Sequence, residues 1–268
     1  MKPADHGNEL RLIGPAITDV AGEPAGSTQV ERLIARYHWT ASYCDGRVVL
    51  EVACGTGQGL GLLASRARTV YGCDISSENL STARQTYKST IDFVQANAQQ
   101  LPFADESVDV IALLETIYFL PSANDFLLEA RRVLRPGGWL LVSSINKDCP
   151  DFNPNHPLYF AHYGVVDLAA AFDRHGFEPE CFGIIPMDKP SLRSRAFQPL
   201  KRMAVGLNLI PESMQARRFL KRIVFGRLEP MPRDIAALPA PAAAPIRLST
   251  DRRDAIHQVV LCAGTRRR

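Results

Sequence analysis

A glycine-rich turn that follows an apolar strand constrains this chain more than any other feature. Residues 48–59 read VVLEVACGTGQG, an apolar and largely β-branched stretch that stops at Glu51 and opens into glycines. In α/β proteins this arrangement lets the backbone approach a ligand at the carboxyl end of a strand. Glycine is needed there because a Cβ atom would forbid the dihedral angles of the turn or hold the ligand off the main chain. The turn therefore predicts a ligand site at one edge of a parallel sheet.

Two classes of ligand fit such a turn. A dinucleotide fingerprint has the pattern G-x-G-x-x-G, which Gly55 and Gly57 match but Leu60 does not. Because the third glycine allows helix and strand to pack closely, Leu60 argues against a pyrophosphate site. An acid four residues before the first glycine suits a zwitterionic amino-acid group instead, since Glu51 can pair with an ammonium while the loop amides face a carboxylate. Asp74 ends the next apolar strand, where an acceptor for a ribose diol is expected.

These residues resemble the motifs of the class I S-adenosylmethionine-dependent methyltransferases of the small-molecule, type 11-like kind. E-V-A-C-G-T-G matches the family's first motif, with Ala53 in place of a frequent glycine. The resemblance continues in the family's order through ANAQQLPF at 96–103, VDVIALLETIYFL at 108–120 and ARRVLRPGGWLLVSS at 130–144. Any glycine-rich strand-to-helix turn would explain the first motif alone, but the spacing of four motifs favours this family. It implies a Rossmann-like α/β fold, with a seven-stranded, mostly parallel sheet and helices on both faces.

The resemblance also implies S-adenosyl-L-methionine as the methyl donor. In the family, the first acid and the loop backbone hold the methionine part, and the acid after the second strand holds the ribose. A polar residue before L-P-F meets the adenine amino group. Asn97 stands there where the family often has Asp, and because an amide carbonyl can still accept a hydrogen bond, we expect a weaker contact with the same role. The donor-binding residues expected on this basis are Glu51, Ala53, Gly55, Gly57, Asp74, Ile75, Asn97, Ala98 and Glu115.

Composition sets outer bounds on the protein. The 268 residues, 46% hydrophobic and 22% charged, can form one elaborated domain or a domain with a helical extension. No run is long and apolar enough to cross a bilayer, and MKPADHGNEL lacks the apolar segment of a signal peptide. The six cysteines form no C-x-x-C pair and have no histidine clamp, which indicates neither a metal site nor a disulfide framework. We expect a cytoplasmic protein without a metal.

Strand and helix patterns alternate along the chain, which predicts a parallel sheet covered on both faces. We expect a flexible leader at 1–26, a methyltransferase core with the donor site at 27–186, a basic helical insert or lid at 187–235, and a Pro/Ala connector with the final strand at 236–268. The first core helix has Ser27 or Thr28 as its expected N-cap. Other helices are expected at 60–67 and 124–134. The last strand is expected to pair antiparallel, and strands are expected at 48–51, 69–74, 92–95, 108–114, 138–144, 181–185 and 257–263.

The stretch 187–235 is strongly basic. It is expected to form two amphipathic helices, with cations beside an apolar edge. Such a face suits an anionic, partly apolar substrate, or peripheral contact with a membrane surface. A solvated helix face with a packed underside explains the same pattern. Within it, residues 191–230 carry two acids, Glu212 and Glu229, and nine cationic residues, which are Arg193, Arg195, Lys201, Arg202, Arg217, Arg218, Lys221, Arg222 and Arg227.

The reaction needs an oriented nucleophile and, for an alcohol, a base that takes its proton. Three residues are candidates for that base. Glu115 ends the fourth strand and lies at the lip of the donor crevice in the family. His156 and His162 lie in the polar and aromatic loop after the fifth strand and have the most suitable intrinsic pKa. A donor-positioning acid and two structural loop histidines are the alternatives.

Two functions remain open. The first is a methyltransferase that moves a methyl group by in-line displacement to an O or N atom of a small molecule, sugar or glycolipid precursor. The second is an RNA methyltransferase that grips phosphates with the basic insert. Base methylases of the exocyclic-amine kind show N-P-P-Y or D-P-P-Y after strand four, where this chain has ETIY. Cys149 and Pro150 reverse the Pro-Cys order of the cytosine-carbon enzymes, so nucleic acid is the weaker case.

Overall fold

The computed structural model describes residues 20–187 and 228–268, so most of the predicted leader and of the predicted basic insert lie outside the described residues. Two short strands form a ribbon, and eight others form the main sheet. Along the described chain the strands are β1 (Pro24–Gly26), β2 (Val48–Val52), β3 (Thr69–Asp74), β4 (Asp92–Gln95), β5 (Val108–Leu114), β6 (Leu134–Ile145), β7 (Phe177–Pro186), β8 (Leu228–Pro230), β9 (Ile246–Leu248) and β10 (His257–Arg266).

The main sheet has the order β4-β3-β2-β5-β6-β10-β7-β9. Strands β2 to β6 pair in parallel, whereas β10 is antiparallel to both of its neighbours, β6 and β7. This confirms the predicted antiparallel last strand. Because parallel strands end at the same edge of a sheet, the turns after β2, β3, β4 and β5 lie side by side.

The structure contains one main-sheet strand more than the seven predicted. β9 lies within the predicted Pro/Ala connector and pairs antiparallel with β7. Its three residues are too few to show a period in the sequence. Four other strands are longer than predicted: β2 continues to Val52 rather than ending at 51, β6 begins at Leu134 rather than 138, β7 begins at Phe177 rather than 181, and β10 continues to Arg266 rather than ending at 263.

The helices of the described residues cover both faces of the sheet. The prediction that Ser27 or Thr28 caps the first helix is wrong, because Gly26 is the N-cap and makes no side-chain capping bond. The helix after the glycine turn ends at Ala64 and not at residue 67. The helices are α1 (Ser27–Ala41), α2 (Leu60–Ala64), α3 (Ser77–Tyr87), α4 (Ala123–Val133) and α5 (Val165–Arg174), with one 3₁₀ turn, η1 (Ile117–Phe119).

The end of the predicted flexible leader is part of the folded structure. β1 pairs antiparallel with β8, and Ala25 is only 2% exposed. The backbone N–H of Ala21 donates to Oγ1 of Thr56 in the glycine turn, at 3.2 Å. Local sequence patterns do not reveal this ribbon, because its two strands lie far apart in the chain. Residues 20–26 therefore belong with the core and not with a leader.

Apolar side chains cover both faces of the sheet. In β2, Leu50 and Val52 pack into one core cluster while Val49 packs into the other. A parallel strand that is buried on both faces has a nearly continuous apolar sequence. Glu51 is the one acid in this strand, and it is 1% exposed. Its burial in an apolar strand calls for a specific explanation.

One arginine ties α4 to the loop that follows β4. The guanidinium of Arg132 donates to the carbonyl oxygens of Leu101 and Phe103 at 2.9 and 2.8 Å. It also pairs with Glu129 at 2.8 Å and with Asp105 at 2.6 Å. These bonds fix the loop that carries the L-P-F motif. The bonds to Glu129 and Asp105 raise the pKa of Arg132 above its ordinary value.

Replacement of Arg132 by methionine should destabilise the fold. Hydrogen bonds to a charged group are worth about 1.5–3 kcal/mol, so Arg132→Met should lower the free energy of unfolding by about 2 kcal/mol. Urea unfolding followed by circular dichroism measures this. The control is Arg252→Met, since the side chain of Arg252 is 83% exposed. Equal stability of the two variants would contradict the role given to Arg132.

Candidate active site

Backbone hydrogen bonds join the ends of neighbouring strands into one surface. The N–H of Gly55 donates to Oδ2 of Asp74 at 2.8 Å. The N–H of Cys54 donates to the carbonyl of Cys73 at 2.9 Å, and that of Ala96 donates to the carbonyl of Asp74 at 3.1 Å. The turns after β2, β3 and β4 therefore form a continuous crevice wall. This brings together the residues that the sequence assigns to the methyl donor.

The glycine turn uses backbone conformations that favour glycine. At Gly55 φ is +57°, and a Cβ atom there would meet nothing within 4 Å, so the main chain borders open space. At Gly57 φ is +82°, and a Cβ would lie 3.1 Å from the ring of Tyr87. Ala53, where the family often has glycine, also has a positive φ of 57°. A non-glycine residue in this region stores strain, which structures retain mainly at functional sites.

Glu51 presents a buried carboxyl group at the foot of this turn. Oε1 accepts a hydrogen bond from the hydroxyl of Tyr37 at 2.5 Å. Oε2 is buried and has no hydrogen-bond partner. Burial raises the pKa of Glu51 to about 8; the Tyr37 hydroxyl and Arg36 act to lower it, and Asp74 acts to raise it. A cation placed against Oε2 would offset the unfavourable burial of the charge.

Asp74 both braces the turn and offers a ribose acceptor. Besides the bond from Gly55, it accepts the N–H of Ser76 at 2.8 Å and the side-chain amide of Asn79 at 3.4 Å, both through Oδ1. Burial raises the pKa of Asp74, while these bonds act to lower it. Because a carboxylate has about four acceptor positions, the bracing bonds leave room for a ligand hydroxyl. The bracing role is not visible in the sequence.

The residues expected to meet adenine are held in place by local bonds. Oδ1 of Asn97 accepts the N–H of Gln99 at 3.0 Å, which closes a tight turn. Ala98 is 9% exposed. The carbonyl of Ile75 accepts the side-chain amide of Gln95 at 3.0 Å. The local turn uses one acceptor position of Asn97, so a weaker adenine contact than that of Asp remains the expectation.

Glu115 follows β5 and is held by two hydroxyl groups. Tyr118 donates to Oε2 at 3.0 Å, and Ser143 donates to Oε1 at 3.0 Å. The Glu115 backbone has a positive φ of 54°. Sequence reasoning found Glu115 but missed both partners. The two adjacent serines after the apolar run WLLV in β6 were the available signal for Ser143.

Aromatic side chains surround Glu115 on the side of the loop after β6. The ring of Tyr159 lies 4.9 Å from that of Tyr118. It stacks on His156 at 4.3 Å and 20°, and meets His162 edge-on at 5.8 Å. The structure thus brings both candidate histidines into one group with the partner of Glu115. This aromatic cluster consists of Tyr118, Phe119, Phe152, His156, Tyr159 and His162.

The two histidines differ in their surroundings. Nδ1 of His156 accepts the N–H of Leu158 at 3.3 Å. Burial lowers the pKa of His156, so this side chain is neutral near pH 7. Nδ1 of His162 is buried without a hydrogen-bond partner. Neither histidine is hydrogen-bonded to Glu115 within the described residues.

Other kinds of site find no support in the parts of the chain that the structure describes. No group of three His, Cys, Asp or Glu side chains there could hold a metal ion. All six cysteines are buried and free. None of the helices between residues 20 and 187 or after residue 227 combines the length and apolar character needed to span a membrane.

Comparison with known sequences identifies the same region. Residues 50–142 match the family model of the methyltransferase domain. The chain is 36% identical over 149 residues to a probable S-adenosylmethionine-dependent methyltransferase of Mycolicibacterium smegmatis. The aligned residues are 54% of this chain and 57% of that protein. It is also 41% identical over 115 residues to the fatty-acid O-methyltransferase of the same organism. Here the aligned residues are 41% of this chain and 42% of that enzyme. The chain thus spans about half the length of the relatives it matches.

Solved structures share the fold. A SAM-dependent methyltransferase from Archaeoglobus fulgidus superposes with a TM-score of 0.58 over 88% of this chain and 94% of that chain, at 15% identity. The predicted Rossmann-like fold is therefore confirmed. The matched domain and the related sequences confirm the predicted resemblance to the class I S-adenosylmethionine-dependent methyltransferases, with residues 50–142 as the methyltransferase domain.

Proposed function

We propose that this protein transfers the methyl group of S-adenosylmethionine to an oxygen atom of a small-molecule or lipid acceptor. The observation that carries the proposal is the buried, unpartnered Oε2 of Glu51 beside the open backbone of Gly55. Oε2 fits the ammonium of an amino-acid tail, and the open space at Gly55 leaves room for the rest of that tail. The similarity to a fatty-acid O-methyltransferase supports oxygen as the methylated atom and a lipid as the acceptor.

The residues of the crevice have separate roles toward the donor. When bound, S-adenosylmethionine supplies an electrophilic methyl group on its sulfonium. Glu51 would accept a hydrogen bond from the ammonium, and the open backbone at Gly55 would give the amino-acid tail room to approach the turn. Asp74 would accept hydrogen bonds from the ribose hydroxyls. The adenine would lie against the residues after β3 and β4, which are Ile75, Asn97 and Ala98.

Glu115 is the base that we favour for a hydroxyl acceptor. Two hydroxyl donors hold its carboxylate in one orientation at the crevice. A hydroxyl must lose its proton as its oxygen attacks the methyl group, so a fixed carboxylate within reach of that proton accelerates the step. A carboxylic acid acceptor is already ionised near pH 7 and needs no base. His156 and His162 remain alternative bases because they belong to the same aromatic cluster.

The aromatic cluster supplies an acceptor-binding wall. Its rings come from η1 and from the loop after β6, and they pack around the Glu115 side of the crevice. Ligand pockets are lined mainly by apolar and aromatic side chains with a few polar groups. An acyl chain or an aromatic acceptor fits this wall better than a sugar does.

Narrower predictions draw on residues 187–235. An anionic substrate, peripheral contact with a membrane and a grip on RNA phosphates all depend on the basic insert, most of which lies outside the described residues. Methylation of nitrogen or of a glycan, and a cytoplasmic location, likewise remain predictions from the sequence. The described part of the chain gives the RNA alternative no specific support.

A direct assay with labelled donor tests the proposed function. The acceptors are a long-chain fatty acid, a lipid alcohol or phenol, a sugar, an amine and RNA, and we expect methyl ester or methyl ether products. General-base catalysis is worth about 10²–10⁴-fold. Glu115→Gln should therefore lower kcat far more on the hydroxyl acceptor than on the fatty acid, at saturating donor. Methylation of the amine or of RNA alone would contradict the proposal.

Asp74→Ala should weaken donor binding. Loss of hydrogen bonds to a charged acceptor corresponds to about 1.5–3 kcal/mol, or roughly 10–150-fold in affinity. Calorimetric titration with S-adenosylhomocysteine measures the change. Asp92→Ala is the control, since Asp92 is the exposed first residue of β4 and lies at the end of that strand away from the crevice. An unchanged affinity in Asp74→Ala would refute the ribose assignment.

Glu51→Gln should make the protein without donor less sensitive to alkaline pH. Burial raises the pKa of Glu51 from its ordinary 4.5 to about 8, so between these values the folded state holds a proton that the unfolded chain has released. Stability from this group is therefore full below pH 4.5 and falls as the pH rises toward 8. Glutamine cannot ionise, so the Tm of the variant relative to wild type should rise across this range.

Glu129→Gln is the matched control for this pH experiment. The Arg132 hydrogen bonds lower the pKa of Glu129. Its stabilising effect is therefore present above the ordinary carboxyl pKa and lost as the pH falls. The Tm of Glu129→Gln relative to wild type should thus decrease as the pH rises to its ordinary pKa of 4.5, and it should stay constant between pH 4.5 and 8, where that of Glu51→Gln rises. Parallel pH profiles for wild type and Glu51→Gln would show that the buried carboxyl has an ordinary pKa.

A further inference from the structure

We propose that Tyr37 is a donor-positioning residue, whose hydroxyl fixes Oε1 of Glu51 so that Oε2 is left to accept the ammonium group of the methyl donor. The proposal rests on the proposed function, because both concern the same site. It assigns to α1 a role that the glycine motif alone does not contain.

The hydrogen bond between the two side chains is fully enclosed. Tyr37 is 4% exposed and Glu51 is 1% exposed. The hydroxyl donates to Oε1 at 2.5 Å. Burial and the nearby carboxyl raise the pKa of Tyr37 well above its ordinary value, so the hydroxyl keeps its proton and remains a donor at working pH.

The ring of Tyr37 packs directly on the glycine turn. A Cβ atom on Gly59 would lie 2.1 Å from this ring. The φ of Gly59 is −101°, which any residue can adopt, so glycine is required here for space and not for its dihedral angles. The lack of a side chain at Gly59, the third glycine of the turn, therefore leaves space for the Tyr37 ring. The turn and the tyrosine form one unit.

The position of Tyr37 is fixed by the fold around α1. The helix starts immediately after β1, and β1 is held by its pairing with β8. Further along α1, Trp39 packs against Tyr43 and Phe182 with ring centroids 5.4 and 6.3 Å apart. The helix therefore delivers the hydroxyl to Glu51 from a rigid support. Pre-organised groups of this kind bind a ligand without the entropic penalty of ordering them.

Several other ionisable groups act on the carboxyl of Glu51 or are affected by it, and replacement of Tyr37 leaves all of them in place. α1 contributes Arg36, β3 ends at Asp74, and α3 contributes Tyr87. The nearby carboxyl of Glu51 also acts to raise the pKa of the Cys44 and Cys54 thiols. Removal of the Tyr37 hydroxyl alone therefore isolates one hydrogen bond in a constant electrostatic environment.

Tyr37→Phe tests the proposal, with S-adenosylhomocysteine as the calorimetric probe between pH 6 and 9. Loss of a hydrogen bond to a charged group should weaken binding about tenfold or more at pH 7. The carboxyl group of Glu51 must be ionised to pair with an ammonium, and in Tyr37→Phe no hydroxyl stabilises the ionised form. The pH of half-maximal affinity should therefore move upward by about one to two units.

Three controls separate positioning from a general structural effect. Methylthioadenosine lacks the amino-acid tail, so it should bind Tyr37→Phe and wild type equally. Tyr43→Phe removes a hydroxyl from a ring that packs on Trp39 and Trp139, and it should leave the binding of both probes unchanged. Gly59→Ala displaces the Tyr37 ring and should reproduce the loss of S-adenosylhomocysteine affinity.

The possible results are distinct. Wild-type affinity and an unshifted pH profile in Tyr37→Phe would overturn the role of Tyr37 and leave the proposed function intact. An equal loss for methylthioadenosine would also overturn it, because the defect would then not concern the amino-acid tail. Failure of the wild-type protein to bind S-adenosylhomocysteine at any pH would overturn the proposed function itself.

Discussion

The burial of one carboxyl group governs this edge of the protein. β2 is apolar on both faces, yet it carries Glu51 at 1% exposure next to the glycine turn. Desolvation of a carboxylate is unfavourable and raises its pKa, here to about 8. The Tyr37 hydroxyl satisfies one oxygen, and the other has no partner. A protein selected only for stability would replace this residue, so the unsatisfied oxygen is evidence of ligand binding.

The glycines around that carboxyl group serve different physical needs. Gly55 takes a positive φ and leaves open space, which suits close approach of a ligand. Gly57 takes a positive φ and is also packed against Tyr87, while Gly59 has an ordinary φ and gives room to the Tyr37 ring. Ala53 adopts the same left-handed region without the freedom of glycine. The sequence pattern is one motif, but only one of its glycines borders the open crevice.

The sequence predicted most of the central sheet, because its strands have distinct local patterns. Apolar runs such as VVLEV mark strands that are buried on both faces. β1 and β9 were missed since each has three residues and a partner far away in the chain. Ser143 was missed for a similar reason, because it reaches Glu115 only through the pairing of β5 with β6. Local sequence can thus identify a candidate side chain without revealing what orients it.

The boundaries of the family match explain why the donor is better defined than the acceptor. The matched residues, 50–142, run from β2 into β6 and contain the glycine turn, Asp74, Asn97 and Glu115. The loop that supplies His156, Tyr159 and His162 to the aromatic cluster begins after β6, beyond the match. A common donor requires common strand ends, whereas acceptors differ and are contacted by loops that can change without disturbing the sheet. In our proposal the acceptor is therefore selected by this loop, which lies outside the matched methyltransferase domain.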